Sequence, residues 1–232
     1  MSFVAAGEHL AIALDGGSAL FTTRRGGVSE GPFASLNLGS WTDDDPERVR
    51  ANRAAVERLG GGRLAQVHQV HGTRVIEARP RREGAPPSDA DGQVTSARGT
   101  APMALTADCL PVALVAPEAV AMVHAGWRGL AGGVLAEGAD ALRALGASRI
   151  AAAIGPGAGP CCYEVGPEVH AAFGTSGRTI DLKALARERL EAAGVAEVHD
   201  CGLCTICDPE RFFSHRRDDG VTGRQAGIAW RS

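Results

Sequence analysis

The chain has 232 residues, with 24 Lys and Arg against 27 Asp and Glu, a formal net charge of −3. So even a balance gives no electrostatic ground for nucleic acid or an anionic membrane as a partner. The N-terminus MSFVAAGEHLAIALDGG has neither the basic start nor the long apolar stretch of a signal peptide, and no segment has the apolar length of a membrane span, so the expectation is a soluble, cytoplasmic protein.

In chain order, SALFTT (18–23) is the first predicted strand, and DDDPERVRANRAAVERLG (43–60) is a helix, with acids and a Pro in its first turn and Gly60 as its stop. Val49, Val56 and Leu59 share one face of that helix, and Arg53 falls on the same face. LAQVHQVH (64–71) and RVIEA (74–78) are strands, followed by the loop RPRREGAPPSDADG (79–92). That loop is too short to divide domains, so residues 1–232 are expected to form one domain with a functional loop. PMALT (102–106), PVALVA (111–116) and AVAMVH (119–124) are strands, and 128–146 is a helix with Leu130, Val134, Leu135, Ala141, Leu142 and Leu145 at helical spacing. RIAAAIG (149–155) and EVHD (197–200) are strands around a helix at 181–194, which Asp181 caps and Gly194 ends. Several strands are continuously apolar, as strands covered on both faces are. Strands in runs with irregularly interspersed helices predict an α+β fold with mixed sheets rather than a doubly wound one.

PVALVA and AVAMV are separated by Pro117–Glu118, which predicts a tight hairpin in which 116 pairs with 119 and His124 faces Pro111. Cys109 then lies two residues beyond, a diagonal neighbour of His124, within reach of a common point. A thiolate and an imidazole so placed can bind a borderline metal or form a nucleophile–base dyad; the plainer alternative is a buried thiol beside a hydrogen-bonded core histidine. A second histidine completes a three-ligand zinc set with its fourth position open. On the strand 64–71, Val67, Gln69 and His71 share one face while Gln66 and His68 share the other, and spacing alone does not choose His71 over His68.

The six cysteines are Cys109, Cys161, Cys162, Cys201, Cys204 and Cys207. In a long chain without secretory features they read as free thiols or metal ligands rather than a disulfide framework.

SLNLG (35–39), NR (52–53), QVHG (69–72), DADG (89–92), TADCLPV (106–112), VHAGWRG (123–129), IGPGAGPCCYEVG (154–166), CTIC (204–207) and FFSHRRDDGVTGRQAGIAW (212–230) follow one another from near the N-terminus to the end. On these stretches the chain resembles the YfiH or laccase-domain family, also described as multicopper polyphenol oxidases or purine nucleoside phosphorylase-like proteins. The resemblance implies a YfiH-like layered fold, with mixed sheets packed face to face and helices outside. It implies His71, Cys109 and His124 as metal ligands and settles His71 over His68. It implies phosphorolysis of adenosine, inosine, guanosine and methylthioadenosine, and deamination of adenosine. A role in peptidoglycan editing is a further reading, since the family includes such a protein.

Deamination needs an activated water and a proton shuttle, for which Asp108 and Glu164 are the nearest carboxylates. Phosphorolysis needs an anion site, which Arg53, Arg128 or the Arg216–Arg217 pair could supply through the planar guanidinium fork; for Arg53 the alternative is an ion pair or a snorkelling side chain. Arg53 is expected as a catalytic group beside the triad, and Asn37, Gln69, Asp108, Trp127, Arg128, Tyr163 and Arg217 as substrate-binding residues. GPGAGPCCYEVG is read as a turn lining the site, with Tyr163 the only tyrosine. Cys161 and Cys162 are expected to be buried structural thiols, and CGLCTIC, with no second C-x-x-C elsewhere, is not expected to bind a second zinc. Seven histidines without an H-x-H pair favour zinc over copper and over oxygen reduction. The expected partners are a purine nucleoside and phosphate, with the chain a monomer or homodimer. Two competing readings are a metal-free hydrolase using a Cys109–His124 dyad and a thiol-rich protein with a structural zinc.

Overall fold

The computed structural model describes residues 2–79 and 87–232, so most of the early part of the predicted 79–92 loop lies outside the described residues. The strands are β1 (Val4–Ala6), β2 (His9–Leu14), β3 (Gly17–Phe21), β4 (Arg63–Ala65), β5 (Val75–Glu77), β6 (Gly92–Thr95), β7 (Thr100–Thr106), β8 (Leu110–Val115), β9 (Val120–Ala125), β10 (Ala151–Ile154), β11 (Glu197–Asp200) and β12 (Gln225–Arg231). The helices are α1 (Pro46–Glu57), α2 (Trp127–Gly132), α3 (Val134–Ala144), α4 (Pro167–Phe173) and α5 (Leu182–Ala192). Two six-stranded sheets form, ordered β1-β2-β3-β12-β7-β4 and β11-β10-β8-β9-β6-β5. Both are mixed, because β4–β7, β5–β6 and β10–β11 pair parallel and the other pairs antiparallel. The α+β expectation with mixed, layered sheets holds.

Period-two alternation on β8 and β9 explains their unbroken apolar sequence. Ala113, Val115, Val120 and Met122 face Ile12, Phe21 and Ala229 of the first sheet. Val112, Leu114, Ala121 and Val123 face the other way, onto Leu130, Val134, Leu135 and Leu142 of α2 and α3. Each fully buried Leu, Val or Met contributes about 1.5–3 kcal/mol, so this hairpin is the fold's central slab. The predicted register is observed: Pro111 pairs with His124 and Val115 with Val120.

Three expectations are corrected. The helix expected at 128–146 is two helices, because Gly133 adopts φ 98° and ends α2 in the left-handed region. The strand expected at 64–71 stops at Ala65; His68 forms only an isolated bridge to Asp89 and His71 turns at φ 60°. The shared face of Val67, Gln69 and His71 therefore does not exist as a strand face. The final segment, not predicted as a strand, is β12, inserted between β3 and β7. There Gly227 faces the hairpin, where a Cβ would lie 2.6 Å from Pro111 Cβ, so only glycine lets the two sheets close beneath Cys109.

Candidate metal centre

Three chain segments converge at the open end of the β8–β9 hairpin. Cys109 immediately precedes β8, His124 is near the end of β9, and His71 stands on the turn after β4. Their ligand atoms all lie within 4.8 Å of one another, with Cys109 Sγ 3.9 Å from His71 Nε2 and the two imidazole rings 4.9 Å apart at 82°. A tetrahedral zinc with ordinary Zn–S and Zn–N bonds separates such atoms by about 3.6 Å, so one thiol and two imidazoles fit that ion with small adjustment. Gly126 makes the approach possible, since a Cβ there would lie 2.7 Å from His71 Cδ2 and 3.2 Å from Cys109 Sγ. His68, the competitor on spacing, instead binds Asp89 Oδ1 at 2.8 Å and stacks edge-on against Trp41.

Sequence reasoning missed the residue that braces the cluster. Asp91, 1% exposed, receives His124 Nδ1 at 2.8 Å and the backbone N–H groups of Val70, His71 and Gly72 at 3.2, 2.9 and 2.7 Å. Its carboxylate thereby fixes the turn that carries His71 and leaves His124 Nε2 facing the cluster, the usual carboxylate–histidine support of a metal ligand. The available signal was DADG itself, an acid leading straight into a buried strand. Burial alone would raise the Asp91 carboxyl, but the hydrogen bonds from His124 and Gly72 outweigh it and hold it below the ordinary carboxylate range. Burial likewise resists charge on Cys109 and His124, yet each stabilises the other: the thiol falls to about 6 and the imidazole rises to about 9, with Asp91 adding to the latter. Without a metal, these opposite shifts favour a thiolate–imidazolium pair.

The cluster forms the floor of a cavity of about 390 Å³, within the range of small-molecule sites. Gln69, Asp108, Trp127, Arg128 and Tyr163 line it, as do Trp41, Thr42, His215, Arg216 and Arg224, which sequence reasoning either missed or, for Arg216, carried only as one of a pair. The Arg128 guanidinium lies 4.3 Å over Trp127 and that of Arg216 lies 5.1 Å over Tyr163. Burial depresses the Arg224 guanidinium, opposed by the charges of Cys109 and Asp108. Burial and the Cys109 charge raise the Tyr163 phenol, so it enters the cavity as an O–H donor.

Several expected site residues are held by hydrogen bonds within the protein. Asp108, at φ 95°, accepts from the hydroxyls of Thr205 and Ser214 and from the Arg216 N–H at 2.7, 3.0 and 2.7 Å. Gln69 clamps Leu105 through both its amide atoms. Asn37 is fully buried and ties Thr42 to the backbone of Arg224. Arg53 donates to the Leu38 carbonyl, and Arg217 donates to the carbonyls of Thr205 and Phe212 and pairs with Asp218; neither lines the cavity. Glu164 is ion-paired with Arg178, also outside the cavity lining.

Comparison with known proteins gives the chain's family and fold. Residues 18–232 match the family described as multi-copper polyphenol oxidoreductase laccase. Purine nucleoside phosphorylase PA4543 of Pseudomonas aeruginosa is 42% identical, over 91% of this chain and 92% of that protein. Purine nucleoside phosphorylase YfiH of Escherichia coli is 38% identical, over 93% and 94%. Among solved structures, protein NMB0706 of Neisseria meningitidis superposes with a TM-score of 0.86 at 38% identity over 100% of both chains. YlmD of Geobacillus stearothermophilus gives 0.89 at 34% identity, over 98% of this chain and 97% of its own. Family model, relatives and folds coincide along nearly the whole sequence, and the chain belongs to the multi-copper polyphenol oxidoreductase laccase family, whose YfiH-type members it resembles.

Proposed function

We propose that the protein is a zinc-dependent purine nucleoside phosphorylase that also deaminates adenosine at the same site. The observation that carries this reading is the three-ligand cluster of His71, Cys109 and His124 set in the floor of a cavity walled by Arg128, Arg216 and Arg224. Three protein donors are one fewer than a structural zinc takes, so an ion held by His71, Cys109 and His124 would keep a position for substrate or water. Zinc held there would supply Lewis acidity to an oxygen of substrate or water at neutral pH.

The chain's own residues supply the rest. Arg128 and Arg216, each flattened on an aromatic ring, present guanidinium forks suited to phosphate. Trp127 and Tyr163 offer ring faces for a purine, and Tyr163 an O–H donor. In phosphorolysis a phosphate oxygen bonds C1′ as the C1′–N9 bond breaks, its electron pair leaving with the purine, which takes up a proton. The arginines hold the incoming anion against C1′ and balance its charge as the ribose becomes cationic. The carboxylates of Asp108 and Glu164 are engaged elsewhere, so proton transfer in this reading falls to Tyr163, Thr42 or His215.

A second reading, a metal-free hydrolase, is favoured by the lowered Cys109 thiol beside His124. Metal analysis of purified protein and incubation with adenosine, with and without phosphate, separate the two. Stoichiometric zinc, with adenine and ribose 1-phosphate formed only with phosphate, is expected; inosine formed under both conditions reports the deaminase. Metal-free protein with full thiol-dependent activity overturns the zinc reading, and stoichiometric copper overturns the choice of metal.

A further inference from the structure

The second sulfur cluster is assembled by parallel pairing of two distant loops. Gly157 bridges Cys204 in parallel fashion, which brings Cys161 and Cys162 of the loop after β10 against Cys204 and Cys207 of the loop after β11. All four Sγ atoms lie within 4.8 Å of one another. Cys207 Sγ is 2.7 Å from that of Cys162 and 3.1 Å from that of Cys161. The expectation that Cys161 and Cys162 are buried structural thiols is corrected, since Cys161 is exposed and Cys162 half-buried. CGLCTIC lacked a second C-x-x-C, but the fold supplies a vicinal pair in its place.

We infer that Cys161, Cys162, Cys204 and Cys207 form a second, four-thiolate zinc site, distinct from the cavity cluster and independent of the nucleoside reading. Three observations carry it. Cys204 and Cys207 have the C-x₂-C spacing of a zinc knuckle, and the N–H of Gly159 points at Cys204 Sγ at 3.2 Å, the amide-to-sulfur support typical around metal thiolates. A tetrahedral zinc holds its sulfurs about 3.8 Å apart, and this group, confined within 4.8 Å, would close around one ion once Cys207 moves about 1 Å away from Cys162. Gly159 is the residue that admits the second loop, because a Cβ there would lie 3.1 Å from Cys204 Cβ and 3.4 Å from Cys161 Sγ. Four close thiolates would repel one another, and a divalent cation at their centre would offset half of their charge.

A closed four-ligand site leaves no position for substrate, so its role is to suture. Tyr163 follows Cys162 directly, while Thr205, between the other two ligands, holds Asp108 Oδ1. Arg217 caps the same loop through the carbonyls of Thr205 and Ile206. The ion would lock one wall of the cavity from behind.

The test is zinc content of protein purified under reducing conditions, loaded with Zn²⁺ and desalted. Two equivalents are expected in the parent chain, one in Cys109→Ala and one in Cys204→Ser/Cys207→Ser. Because the double variant could fail to fold, Cys109→Ala is also titrated with Co²⁺, where strong sulfur-to-cobalt charge transfer and tetrahedral visible bands are expected. A Cys109→Ala chain that retains no zinc and gives no cobalt–thiolate spectrum overturns the inference. So does recovery of Cys162 and Cys207 as a disulfide from zinc-loaded protein.

Discussion

His71, Cys109 and His124 lie in a cavity floor behind a fully buried carboxylate, whereas Cys161, Cys162, Cys204 and Cys207 lie on two loops, with backbone amides rather than side chains at their backs. The first cluster has three donors and a brace through the four hydrogen bonds of Asp91; the second has four donors and the N–H of Gly159 behind Cys204. Ligand number and support separate the two roles: an open, oriented set suits chemistry, and a closed, loop-borne set suits cross-linking.

Removing a ligand from the first cluster should have the largest effect. Cys109→Ala is expected to lower phosphorolysis by about 10³-fold or more while leaving the second cluster's metal in place; equal loss of both metals would erase the distinction between them. Asp91→Asn comes next. The amide turns a donor toward N–H groups that now donate to a carboxylate, so metal affinity should fall about 10–100-fold and stability by about 2–4 kcal/mol, read by chelator competition and by denaturant unfolding. Unchanged zinc affinity would show that the brace is dispensable. Arg216→Ala should raise the KM for phosphate about 10-fold with a smaller effect on the KM for nucleoside; the reverse pattern would move the anion site elsewhere.

The smallest effect is read on metal-free protein. A Cys109 thiol lowered to about 6 is already thiolate at neutral pH and loses that form only as pH falls through about 6. Its alkylation rate should therefore be half-maximal near there, and His124→Gln should shift the midpoint upward. A midpoint near the ordinary thiol value in the parent chain would mean that the thiolate–imidazolium pair does not form.

The β8–β9 hairpin was legible because its signals are local: a two-residue turn between two apolar runs sets the register, and the register places Cys109 beside His124. His71 was not legible from periodicity, because it stands on a left-handed turn where period-two logic has no meaning. Asp91 and the union of Cys162 with Cys204 depend on partners tens of residues away, and no spacing rule carries such information. Arg53 and Arg217 carried the right charge for an anion site, but their guanidiniums bond backbone carbonyls, a use of arginine that composition and helix faces do not reveal. β12 escaped because its seven residues enter the centre of a sheet whose other strands precede it by more than a hundred residues.

The most direct test follows hypoxanthine release from inosine in three preparations: parent protein, chelator-stripped protein, and stripped protein restored with one equivalent of Zn²⁺ per site. Release that requires phosphate, disappears on stripping and returns with zinc, but never in Cys109→Ala, is the predicted result. Release that persists in stripped protein at the parent rate, or that proceeds equally without phosphate, would contradict the account.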